Sequence, residues 1–149
     1  SGSYWSTIIF GSVEPMKPGK DQFQLRMAGQ IAYMIRISIN GSPPGEGTIE
    51  RFRFDWSQKL LNLEARLWVK NSGSSFIRFK GRLEIKDSQG KKVGIIPFKE
   101  GLVLPGCSRE FTLADSNLKL IPGYYVGLAI ADFGGRSLKA AQATIEIKK

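Results

Sequence analysis

The sequence predicts an all-β protein, an immunoglobulin-like antiparallel β-sandwich of about seven strands preceded by an N-terminal β-hairpin. Three observations predict it. Apolar and polar residues alternate over most of the chain, turn signals recur about every ten residues, and no stretch carries a convincing apolar period of 3.6. The clearest stretch runs over 60–97. From Leu61 onward Leu61, Leu63, Ala65, Leu67 and Val69 share one parity, while Asn62, Glu64, Arg66, Trp68 and Lys70 share the other. Successive side chains of a strand point to opposite faces, so this is a strand with one dry face. After Asn71-Ser72-Gly73-Ser74-Ser75 the pattern resumes, with Ile77, Phe79, Gly81, Leu83 and Ile85 set against Arg78, Lys80, Arg82, Glu84 and Lys86. Asp87-Ser88-Gln89-Gly90 then turns the chain into a third strand, Lys92 to Pro97.

The elements before this stretch follow the same logic. Tyr4 to Phe10 is rich in aromatic and β-branched residues and reads as a strand. The segment 11–24, with Pro15, Pro18 and Gly19, reads as a loop. Ile31, Tyr33, Ile35, Ile37 and Ile39 then alternate with Ala32, Met34, Arg36 and Ser38, which gives a second strand and hence a hairpin over 1–40. Two strands alone are marginally stable, so the hairpin needs an edge or a face to pair with, in cis or on another copy. Asn40-Gly41-Ser42-Pro43-Pro44-Gly45 is the strongest linker signal, and the domain boundary falls at 41–47.

The main domain then occupies 48–149. Thr48 to Trp56 opens it, with Phe52, Phe54 and Trp56 on the inward parity; Ile49 is out of step, which implies a bulge or a strand starting at Glu50. Leu104-Pro105-Gly106 turns into a strand over 108–113, and 118–123 is an irregular connection. Tyr124 to Phe133 is apolar on both parities, the mark of a strand that is central in its sheet or meets a partner. Residues 138–147 close the domain, with Ala141, Ala143, Ile145 and Ile147 inward.

Composition sets the outer bounds. The 149 residues are 42% hydrophobic and 23% charged, as in an ordinary folded domain. No apolar run approaches the roughly 20 residues of a membrane-spanning helix. With no histidine and one cysteine, Cys107, the chain can form no internal disulfide and no Cys/His zinc site. Ser1-Gly2-Ser3 has the composition of a tag remnant, and we read the chain as an excised part of a longer protein. A formal charge of +9 favours an acidic partner such as nucleic acid, an anionic glycan or a membrane surface.

Several local patterns occur together and in order: Trp68-Val69-Lys70-Asn71-Ser72-Gly73, then Gly81 to Gly90, then Val103-Leu104-Pro105-Gly106, then Pro122-Gly123-Tyr124-Tyr125. In these the chain resembles bacterial extracytoplasmic proteins related to the periplasmic pilus chaperones (PapD-like), which carry two immunoglobulin-like domains. In that comparison 4–40 looks like the last two strands of a first domain, and 48–147 like the whole second one. The resemblance implies export to the periplasm or cell surface and a non-enzymatic role with other envelope or surface proteins, in surface-appendage assembly. Its motifs are turn and strand-edge chemistry, and no residue of the chaperones' partner-anchoring site is carried over.

Two candidate sites follow. Arg78, Lys80, Arg82 and Lys86 lie on one strand parity, at about 6.6 Å per two residues a stripe of roughly 26 Å. If the preceding strand pairs beside it, Arg66, Trp68 and Lys70 widen the stripe into a basic face able to hold an anionic polymer, the indole stacking on a sugar or base. The plainer reading is a solvated outer face. The second candidate is the assembly strand, Tyr4, Trp5, Ile8, Ile9 and Phe10, which either drives strand exchange and a homodimer or packs back on its own domain. No cofactor is expected. Cys107 lacks an imidazole base and reads as a small half-buried thiol. The acids are dispersed among turns and solvent parities, with no facing pair, calcium loop or phosphate-binding loop.

Overall fold

The computed structural model describes residues 2–11, 29–57 and 62–148. The loop expected over 11–24 lies outside the described residues from position 12 onward, as do Ser1 and the start of the long strand at 60–61. The strands are β1 (Ser3–Gly11), β2 (Gln30–Ser38), β3 (Gly47–Ser57), β4 (Asn62–Asn71), β5 (Ile77–Asp87), β6 (Lys92–Pro97), β7 (Gly101–Val103), β8 (Ser108–Asp115), β9 (Gly123–Asp132) and β10 (Lys139–Ile147). No helix occurs among the described residues. β1 and β2 form a two-stranded ribbon. The rest is a β-sandwich, one sheet ordered β3-β4-β8 and the other β10-β9-β5-β6, with β7 paired to the first residues of β5. All pairings are antiparallel.

The predicted parities become the two inner faces. Leu63, Ala65, Leu67 and Val69 of β4 are buried against Ile77, Phe79, Leu83 and Ile85 of β5, joined by Phe54, Phe111, Leu113, Tyr125, Ala129 and Ala131 from neighbouring strands. Phe79 sits at the centre, its ring 4.0 Å from that of Phe111 in the facing sheet and about 6 Å from those of Phe98 and Phe133. The register shift in β3 falls between Ile49 and Arg51, so the out-of-step Ile49 marks a bulge that turns its side chain onto the core. Tyr125 closes the turn before β9 by donating its hydroxyl hydrogen to the Ile121 carbonyl at 2.9 Å, the tyrosine-corner arrangement of such sandwiches. Among the described residues the sandwich has eight strands. The additional one, β7, is only three residues long, too short to show a period.

Close approach of the two sheets explains the glycine in the middle of β9. A Cβ on Gly127 would lie 2.7 Å from the Phe54 ring of the opposite sheet. Gly127→Ala is therefore expected to cost about 1–3 kcal/mol through overpacking. Much of that loss should return when Phe54→Leu is added, as read by urea unfolding of the two single variants and the double variant.

Candidate functional site

The ribbon is built from nine facing pairs, from Ser3 opposite Ser38 to Gly11 opposite Gln30, and runs about 27 Å at strand rise. Its register sorts the side chains into two faces. Tyr4, Ser6, Ile8 and Phe10 line up with Ile37, Ile35, Tyr33 and Ile31, so one face is apolar except for Ser6. Trp5, Thr7 and Ile9 face Arg36, Met34 and Ala32 on the other. Neither face is covered: Tyr4 is 60% exposed, Ile9 62%, Ile31 71% and Tyr33 64%. The five residues of the predicted assembly strand thus divide between the faces, and the densest apolar row comes from β2. That row was legible as the alternation of Ile31, Tyr33, Ile35 and Ile37.

Among the described residues, hydrogen bonds join ribbon and sandwich at the base of the ribbon. Ser3 N–H donates to the Ser74 carbonyl at 2.8 Å, Phe76 N–H donates to Ser3 Oγ at 3.3 Å, and the Ser42 hydroxyl donates to the Gly2 carbonyl at 3.2 Å. The first two reach the 71–76 connection between β4 and β5, which Asn71 organises, and the third ties the ribbon to the linker. Its side chain is fully buried; Nδ2 donates to the carbonyls of Ser75 (2.7 Å) and Val103 (3.1 Å), and Oδ1 accepts from Gly73 N–H at 3.0 Å. Its main chain bonds the β7–β8 turn, donating to Cys107 O and accepting from Gly106 N–H.

That connection corrects the expectation of a single basic face. It is an arch that carries the chain from one sheet to the other, not a hairpin, so β4 and β5 do not pair. Arg66, Trp68 and Lys70 consequently lie on the outer face of β3-β4-β8, and Arg78, Lys80, Arg82 and Lys86 on the opposite outside of the sandwich. On the first face acids lie among the cations: Arg66 lies 3.7 Å from Glu64 and 4.0 Å from Glu110, and Lys70 3.9 Å from Glu50. The Arg51 guanidinium lies over Trp68, 5.4 Å from the ring centroid, and occupies a face of the indole. On the second face Lys80 meets Glu100 at 3.6 Å, and Glu84 sits inside the stripe between Arg82 Nε (2.9 Å) and Lys92 Nζ (3.0 Å). Exposed pairs of this kind contribute little stability.

Glu84 is the exception in burial, its side chain only 11% exposed. The hydrogen bond from Arg82, then that from Lys92, holds its carboxyl below the ordinary glutamate value. A depressed folded value means stability that is present above the unfolded-state value, about 4.3, and is lost as pH falls through the folded one. Glu84→Gln should therefore flatten the acid side of the stability profile below about pH 4.3, measured by urea unfolding between pH 2.5 and 6. An unchanged acid limb would show that the two cations do not act on it.

Cys107 is exposed, where a half-buried thiol was expected, because it follows the turn at Gly106 with its side chain outward. Among the described residues no three acids or thiols gather as a metal site.

No protein-family model matches the chain, and no curated protein does. Among solved structures, a β-glucosidase from Erythrobacter marinus matches 67% of this chain at TM-score 0.44 and 19% identity. This chain spans only 15% of the length of that enzyme. The putative ApaA protein from Bordetella pertussis matches 71% of this chain and 97% of its own at TM-score 0.40 and 14% identity. Likeness at this level carries no functional argument.

Proposed function

We propose that the chain is a non-catalytic protein–protein interaction module of an exported bacterial envelope protein, chaperone-like in surface-appendage assembly, with the β1–β2 ribbon as its contact element. The observation that carries the reading is the ribbon itself, apolar but for Ser6 on one face, mixed around Trp5, Ile9 and Met34 on the other, and exposed on both. At about 25 cal/mol per Å² such a surface is strongly driven to find cover. Its outer strand edges also carry few of the usual guards, with Arg36 the one charged residue among the two strands and no proline in either. An added strand or a second copy would satisfy both the edges and the faces. The resemblance of the turn and strand-edge motifs to PapD-like proteins supports the extracytoplasmic setting.

The anionic-polymer reading has less support, because its residues fall on opposite outer faces and acids are interleaved with them. Replacing Ile8 and Ile35 together by lysine tests the ribbon reading. Association, followed by sedimentation across a wide concentration range, should be lost while the thermal midpoint of the sandwich stays within about 2 °C, since neither residue touches the core. Association that survives the double variant would contradict the proposal.

A further inference from the structure

The ribbon does not account for the outer face of the β10-β9-β5-β6 sheet. We propose that this face is a second docking surface and that it takes an acidic amphipathic helix. The starting point is β9, apolar on both parities. Its inward residues, Tyr125, Ala129 and Ala131, are buried in the core, whereas Val126, Leu128 and Ile130 point outward and are half-buried, with no strand or helix above them among the described residues. A central position explains the first set only. The outer faces of a sandwich ordinarily carry polar residues.

Beside this apolar column runs the cationic column of β5, register-matched to it: Arg82 opposite Ile130, Glu84 opposite Leu128, Lys86 opposite Val126. The columns are about 4.8 Å apart, and residues within each repeat every 6.6–6.8 Å. A helix laid along the strands repeats at about 6.0 Å over four residues, so its i, i+4 row matches the β9 column and an adjacent row matches β5. Charge selects acids for that adjacent row. Within the register shared with β9, Lys86 has no ion pair among the described residues, Arg82 bonds Glu84 through Nε alone, and Lys80 lies 3.6 Å from Glu100 as an exposed pair. Glu84 is already held by two cations, and Asp132 accepts from Gly134 N–H at 2.8 Å within its own turn. Where the columns end, a shallow depression of about 230 Å³ opens between Ile130 and Leu138, flanked by Lys80 and Arg82, with the turn-bound Asp132 also on its wall. It would seat one apolar side chain, with a carboxylate on Arg82 or, in exchange for the exposed Glu100, on Lys80.

The probe is a fluorescein-labelled 18-residue helix with leucine at i, i+3, i+4 and i+7 and glutamate beside that row, set against the same peptide with lysine for glutamate, and against heparin. By fluorescence anisotropy the glutamate peptide should bind at least tenfold more tightly than the lysine peptide. Leu138→Ser, at a 57% exposed position, and Lys80→Glu should each weaken it about tenfold. Neither substitution touches the core, and an unchanged thermal midpoint confirms that each variant is folded. The proposal is overturned if the glutamate peptide fails to bind at about 1 mM. It is equally overturned if the lysine peptide binds as well, or if heparin binds with the Lys80 sensitivity while Leu138→Ser has no effect, which would make the face a polyanion site.

Discussion

Replacing Asn71 by leucine, which has the same number of side-chain heavy atoms, should lower the unfolding free energy by about 3–5 kcal/mol, a large share of the 5–15 available to a domain of this kind. The carboxamide is fully buried and makes three hydrogen bonds to main-chain groups of Ser75, Val103 and Gly73. Leucine removes all three bonds, the one to Val103 buried and the other two part-buried, and a buried polar group that loses its partner costs about 1–3 kcal/mol. Asn71→Asp should be at least as costly, because it sets a carboxylate against two carbonyl oxygens. A loss below about 1 kcal/mol in urea unfolding would mean that water or a relaxed arch replaces these bonds. The effect should reach the ribbon as well. Ser3 is bonded to Ser74 and Phe76 within the arch, so amide exchange at the base of β1 should quicken in the Asn71 variants before the core strands open.

Removing the ribbon is the opposite kind of change, with little effect on the sandwich and a large one on association. None of the buried core residues precedes Phe54, so a chain starting at Pro44 keeps the whole core. Its unfolding free energy should stay within about 1 kcal/mol of that of the full chain. What disappears is the exposed apolar surface of β1 and β2. Losing the burial of even two isoleucines at about 1.5–3 kcal/mol each weakens association by a factor of roughly 10²–10⁴.

Much of this architecture was legible in the residues because it rests on period two. The parities of β4 and β5, the inward set of β10 and the break in step at Ile49 all follow from which side chains must leave water. What period two does not encode is which strands share a sheet. Asn71-Ser72-Gly73 has the composition of a hairpin turn, and only the buried carboxamide reaching Val103 makes it an arch. The basic face was divided for that reason alone, with every one of its side chains on the expected outward parity. Likewise Ile31, Tyr33, Ile35 and Ile37 alternate in the same way whether the face they form is covered or bare. Exposure of the ribbon is a property of the assembled chain, not of the strand.

The measurement that bears most directly on the ribbon as a contact element is solution mass by light scattering, on the full chain and on the chain starting at Pro44, across a hundredfold range of concentration. The full chain is expected to associate as concentration rises and the truncated chain to remain a folded monomer throughout. A full chain that stays monomeric over the whole range, or a truncated one that associates equally, would contradict it.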